Sequence, residues 1–131
     1  MSKKLMILGA SILQVPAIIK AKEMGLDVIV VDMNPKAIGF DIPGVKKEII
    51  STIDSCAIVE AAKKYQIDGI MTLATDMPMR SVAAVVKEMN LIGIDADTAF
   101  KATNKVEMRR ALQSYGVLFL SFLKLLMKKN I

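Results

Sequence analysis

Lys4-Leu5-Met6-Ile7-Leu8-Gly9-Ala10-Ser11 is the stretch that decides the fold. A short, unbroken apolar run ending on a glycine is the pattern of a strand buried on both faces, and such strands belong to parallel sheets. The residues after it change period. Leu13, Ala17, Ile18, Ala21 and Met24 recur at spacings of three and four, which predicts a helix with that face inward. Ser11 is placed to cap this helix, Pro16 fits its first turn and Gly25 stops it. Asp27-Val28-Ile29-Val30-Val31 then repeats the buried-strand pattern and ends at Asp32.

The alternation continues outward from there. Residues 33–47 carry Asn34-Pro35, Gly39 and Pro43-Gly44 and read as a loop. Glu48-Ile49-Ile50 is a short third strand, and Asp54 caps a helix with Ile58, Val59, Ala62 and Tyr65 inward. Gly69-Ile70-Met71-Thr72-Leu73 is a fourth strand. Asp76 and Pro78 begin a helix that turns Val82, Val85, Val86 and Met89 to the core, and Leu91-Ile92-Gly93-Ile94 is a last short strand. Asn104, with Glu107 three residues on, resembles a capping box and opens a helix with Met108, Ala111, Leu112 and Tyr115 inward, closed by Gly116. Strand–helix repetition of this kind requires right-handed crossovers between parallel strands. The expected fold is α/β: a three-layer α/β/α sandwich on an open, mostly parallel sheet of four or five strands. The first, second and fourth strands should be adjacent and central, because both their faces are apolar.

Composition narrows the function. With 131 residues, 53% of them hydrophobic, the chain can bury one substantial core. Histidine is absent, which removes the commonest general base and metal ligand. Cys56 is the single cysteine, so neither an internal disulfide nor a cysteine zinc site can form, and an intracellular, cytoplasmic setting is expected. Trp is absent and aromatics are 5%, too few for a base-stacking platform. The net charge of +5 is uneven: residues 1–100 hold 11 Lys/Arg against 12 Asp/Glu, and residues 101–131 hold 7 against Glu107 alone. A basic excess confined to one end argues against a nucleic-acid face. The most apolar stretch, residues 117–127, is broken by Ser121 and Lys124 and falls far short of a bilayer span, so no membrane partner is expected. The ten methionines fall in core-type positions and read as flexible packing.

Ligands of open parallel sheets bind outside the carboxyl ends of the strands. Three connections lie there. In the first, Gly9 to Gln14, Gly9 permits close approach to the backbone, and the following helix N-terminus suits an anion such as a phosphate or carboxylate. Ser11 and Gln14 occupy positions three and six, so this is not Gly-x-Gly-x-x-Gly, and a plain strand–helix turn explains it equally well. In the second, Asp32 can bind ribose hydroxyls or cap the Met33-Asn34-Pro35 turn. In the third, Thr75 and Asp76 point to the same edge, and Asp76 can also serve as a helix cap. The candidate substrate-binding set is therefore Gly9, Ala10, Ser11, Gln14, Asp32, Thr75 and Asp76. No catalytic triad, carboxylate pair or metal cluster can be assembled.

Four stretches in order carry a resemblance: Lys-Leu-Met-Ile-Leu-Gly-Ala-Ser (4–11), Val-Ile-Val-Val-Asp-Met-Asn-Pro (28–35), Asp-Gly-Ile-Met-Thr-Leu-Ala-Thr-Asp (68–76), and Lys-Ala-Thr-Asn-Lys (101–105) followed by a helix and Gly116-Val117. Over about residues 3–117 the chain resembles the N-terminal, pre-ATP-grasp domain of ATP-grasp ligases. Similar domains belong to carbamoyl-phosphate synthetase large subunits, biotin carboxylase and the purine-pathway carboxylate–amine ligases. The resemblance implies a Rossmann-like, substrate-side domain that holds a small anionic or amine substrate, with the loop from Gly9 to Gln14 toward the active site. It implies that Lys105 is a basic residue reaching the nucleotide, although a solvated first-turn lysine explains that residue as well. ATP and Mg2+ are the cofactors the full-length family implies, and neither is expected to bind tightly to this chain alone.

The departure from the family lies at the end. The two-lobed ATP-grasp domain would follow Gly116, and its acidic metal ligands are absent here, so this polypeptide alone is expected to be inactive. The expected division is a domain over 1–117 and an atypical tail over 118–131, a truncated or frame-shifted start of that next domain. Where the family continues Gly-Val with Pro-x-Pro-Lys-Phe, this chain has Leu118-Phe119-Leu120-Ser121-Phe122, and one base inserted before Leu118 permits the family's reading. The tail's leucines and phenylalanines are expected to cover the chain's own surface or to pair two copies as a homodimer. The competing reading is a stand-alone Rossmann-like nucleotide-binding or interaction module.

Overall fold

The computed structural model describes residues 2–116. The expectations for residues 118–131, the tail, its pairing and the boundary before it, lie outside the described residues. Four strands form one parallel sheet: β1 (Lys4–Leu8), β2 (Asp27–Asp32), β3 (Lys46–Ile49) and β4 (Gly69–Thr72), in the order β3-β2-β1-β4. β1 is the hub. Leu5 sits opposite Val28 of β2 on one side and Gly69 of β4 on the other. Three helices cover the sheet: α1 (Val15–Glu23), α2 (Ser55–Tyr65) and α3 (Met79–Met89). Two more, α4 (Ala96–Thr103) and α5 (Lys105–Ser114), follow as an arm, α4 packing on α3 and α5 on α4.

The alternation of side chains along β1 and β2 builds the layers. Met6, Leu8, Ile29 and Val31 point to one face, where they meet Ile58, Ala61 and Ala62 of α2 and Val82, Val85 and Val86 of α3. Ile7, Val28 and Val30 point to the other and meet Ile18 and Ala21 of α1, with Ala37 and Phe40 from a 3-10 turn over Ile38–Asp41. Each of these large side chains contributes about 1.5–3 kcal/mol by leaving water. The three-layer sandwich read from the sequence is therefore the architecture found.

Several elements differ from the expectation. Leu91-Ile92-Gly93-Ile94 forms no strand. Asn90 closes α3 in the left-handed conformation, and the Leu91 N–H returns to the Val86 carbonyl at 3.0 Å. Gly93 is pressed against Val86 and Ile92 is fully exposed before Asp95 caps α4. With no fifth strand among the described residues, β4 is a half-buried edge rather than a central strand. β3 begins two residues before the expected Glu48, and its exposed Lys46 and Lys47 mark it as the other edge. Ser11 does not cap α1, which starts at Val15, so Leu13 falls in the connection and is exposed, as is Met24 beyond the last turn.

The arm departs furthest. α4 was not foreseen, although Asp95 accepts the Thr98 N–H at 2.7 Å in an ordinary N-cap. Asn104 does cap α5, accepting from Val106 and Glu107 at 3.0 and 3.1 Å. The reciprocal half of a capping box is missing, because the Asn104 N–H is already bonded to Phe100 of α4 and Glu107 pairs with Arg110 instead. α5 has no buried residue. Met108 and Ala111 are half-buried and Leu112 and Tyr115 exposed, and among the described residues α5 packs chiefly on α4.

Candidate functional site

The connection from β1 to α1 is held by the side chains of Gln14 and Asp32. Gln14 is buried, with its Oε1 accepting from both the N–H and the hydroxyl of Ser11 and its Nε2 donating to the Leu73 carbonyl at 2.6 Å. It thereby ties the first strand–helix loop to the end of β4. Gly9 makes room for it. Its φ is +107°, and a Cβ there would stand 2.9 Å from Gln14 Cδ.

Asp32, at the end of β2, bonds to two loops. Its Oδ2 accepts from the Ala10 N–H at 2.8 Å and its Oδ1 from the Asn34 N–H at 2.9 Å. The turn-capping role is thus present, together with a clasp on the β1–α1 loop. After β4 the chain bends sharply: Ala74 has φ +65°, a conformation that strains a residue with a Cβ.

A cleft of about 250 Å³ opens at this carboxyl edge. Gly9, Ser11, Gln14, Asp32 and Thr75 line it, with Thr52 and Pro78 among their neighbours. Five of the seven substrate-site candidates are therefore together. Ala10 is fully buried in the core, and its contribution is the amide given to Asp32. Asp76 lines a second hollow of about 510 Å³ with Ile53, Ser55, Met77, Arg80 and Thr103. Lys105 is the exposed first residue of α5 and lines neither hollow.

The sequence reading passed over Thr52, Arg80 and Thr103. Thr52 had a signal, since it follows the end of a strand as the other candidates do. Arg80 had a weaker one, a cation in a helix's first turn, where the dipole disfavours it. Thr103 had none.

The bonding pattern selects the chemistry. The amides of Gly9, Ala10, Ser11, Leu13 and Gln14 are each satisfied within the protein, by Val31 O, Asp32 Oδ2, Gln14 Oε1, Ser11 Oγ and Ser11 O. A phosphate cradle needs such amides free, so these five offer no donor to the anion expected at this loop. Among the described residues no group of carboxylates could hold a metal ion. The carboxylate of Asp32 remains the charged group of the cleft, which suits a ligand that donates, an amine or a hydroxyl.

No family model matches the sequence, and no curated protein matches it. Solved structures do. Phosphoribosylglycinamide synthetase from Anaerococcus prevotii superposes with a TM-score of 0.79 and 25% identity, over 88% of this chain and 30% of that one. L-amino acid ligase from Bacillus licheniformis gives 0.72 and 22% over 89% and 31%. N5-carboxyaminoimidazole ribonucleotide synthetase from Thermotoga maritima gives 0.71 and 22% over 87% and 31%. The chain spans about a third of the length of the structures it matches, and its fold is that of their N-terminal portion.

Proposed function

We infer that these residues are the substrate-side N-terminal domain of an ATP-dependent carboxylate–amine ligase of the ATP-grasp type, catalytically incomplete on their own. The observation that carries this reading is the superposition on phosphoribosylglycinamide synthetase, which takes in nearly the whole chain and less than a third of the enzyme. In the complete reaction ATP activates a carboxylate as an acyl phosphate, and the part of the residues described here is to hold the second reactant. Asp32 accepts a proton-bearing group of the substrate, and Gln14 fixes the spacing between the β1–α1 loop and the β4–α3 connection. The exposed, unpaired thiol of Cys56 agrees with a cytoplasmic setting, which is part of the same proposal.

Calorimetric titration of the 131-residue chain with Mg2+-ATP and with NAD tests the reading. Neither should bind tighter than roughly millimolar, and no ADP should be released. Micromolar NAD binding would move the protein to the stand-alone nucleotide-binding class.

A further inference from the structure

The hollow beside the cleft holds one positive and one negative charge that are not paired with each other. Asp76 precedes α3, whose N-cap, Pro78, has no side-chain bond, so its carboxylate is not used as a cap. Among the described residues it forms no hydrogen bond or ion pair, its carbonyl alone accepting from Met79. Arg80, four positions on, forms no ion pair among the described residues either. Its guanidinium lies 5.4 Å from the ring of Phe100, a stacking contact that steadies the side chain from α4.

The hydroxyls lining the same hollow have their protons committed elsewhere. Ser81 donates to the Thr52 carbonyl at 2.7 Å, so the 3.1 Å contact between Ser55 and Ser81 uses the proton of Ser55. Thr103 donates to the Ala99 carbonyl at 2.8 Å. Both oxygens keep lone pairs and no proton for a ligand. The wall therefore presents three acceptors (Asp76, Ser55 and Thr103) and one forked donor, Arg80. Ile53 and Met77, both largely exposed, add an apolar side.

We propose that this hollow is a subsite for a free amino acid with an apolar side chain. Its carboxylate is held by the fork of Arg80, its ammonium by Asp76 with the oxygens of Ser55 and Thr103, and its side chain lies against Ile53 and Met77. The proposal rests on the ligase-domain reading for its biological sense, since an amino acid supplies the amine or carboxylate such an enzyme joins. A volume of about 510 Å³ is ample for a ligand of this size.

The test is an amide-detected NMR titration of the full chain with L-leucine, isocaproate and isopentylamine. Leucine should shift the amides of Met77 and Arg80 saturably at roughly millimolar affinity. The two analogues, each lacking one charge, should bind at least about tenfold more weakly. Asp76→Asn and Arg80→Met should each weaken leucine by about tenfold with an unchanged circular dichroism spectrum. Arg80→Lys, which keeps the charge and loses the fork, should fall between. No saturable shift up to roughly 20 mM, isocaproate binding as tightly as leucine, or unaltered affinity in both variants would overturn the assignment. Leucine shifts confined to Gly9, Ser11 and Thr75 would overturn it too, while leaving the ligase-domain reading standing. Micromolar NAD binding would strike that reading and leave this titration to decide the hollow.

Discussion

Gly9 and Ala74 occupy left-handed backbone a few residues from the same cleft, and their side chains make opposite predictions. At Gly9, φ of +107° and the closeness of Gln14 leave no place for a methyl group. Gly9→Ala should cost about 1–3 kcal/mol, read as a lower midpoint in urea unfolding. Gly9→Val, with a bulkier side chain, would displace Gln14 and damage the loop itself. At Ala74, φ of +65° means that the native methyl group is the strained one. Ala74→Gly should raise stability by up to about 1 kcal/mol, and an unchanged or lower midpoint would refute the strain. The two positions also show what was legible. Gly9 was readable because a glycine ending an apolar run announces a turn. Ala74 carried no such sign, because nothing in Leu73-Ala74-Thr75 marks the bend, and the Gln14 bond to the Leu73 carbonyl beside it joins residues 59 positions apart.

Edge strand β3 is fastened to α2 by Glu48, whose carboxylate accepts from Lys64 and from the Tyr65 hydroxyl, both at 2.7 Å. Those two hydrogen bonds hold the Glu48 carboxyl below its ordinary value of 4.5, and the same contacts raise Lys64 and Tyr65 above 10.5 and 10.0. A lowered carboxyl stabilises the fold above its ordinary value and loses that contribution as the pH falls through the lowered one. A raised phenol or ammonium contributes below its ordinary value and loses it as the pH rises. The cluster is therefore complete between about pH 5 and pH 10. Tyr65→Phe should lower stability by about 1 kcal/mol at pH 7, roughly 4 °C in Tm, and the gap from the native protein should narrow below about pH 4. A gap independent of pH would show that Tyr65 acts through packing alone. Helix α2 was readable from its spacing and its Asp54 cap, whereas α4 and the non-strand at 91–94 were not. An apolar four-residue run fits a strand by pattern, and only the return of Leu91 to Val86 decides against it.

At the scale of the molecule, the alternation of buried runs and amphipathic helices was enough to give the layers and the parallel order. It was not enough to place the edge of the sheet, because whether a strand is central depends on a neighbour elsewhere in the chain. The cleft was half legible for a related reason. Topology puts all strand ends on one side, so Gly9, Asp32 and Thr75 could be grouped in advance. The division into two hollows depends on where α4 brings Thr103 and Phe100, and α4 itself went unread. The strand order also has a bearing on synthesis. β1 is flanked by β2, which follows closely, and by β4, in which the partner of Leu5 is Gly69, 64 positions later. At about 5–20 residues per second, that partner leaves the ribosome roughly 3–13 s after Leu5 does. Throughout that interval the edge of β1 that β4 will occupy has no hydrogen-bonding partner, so the rate of elongation through residues 33–72 sets how long that edge stays open to other nascent chains.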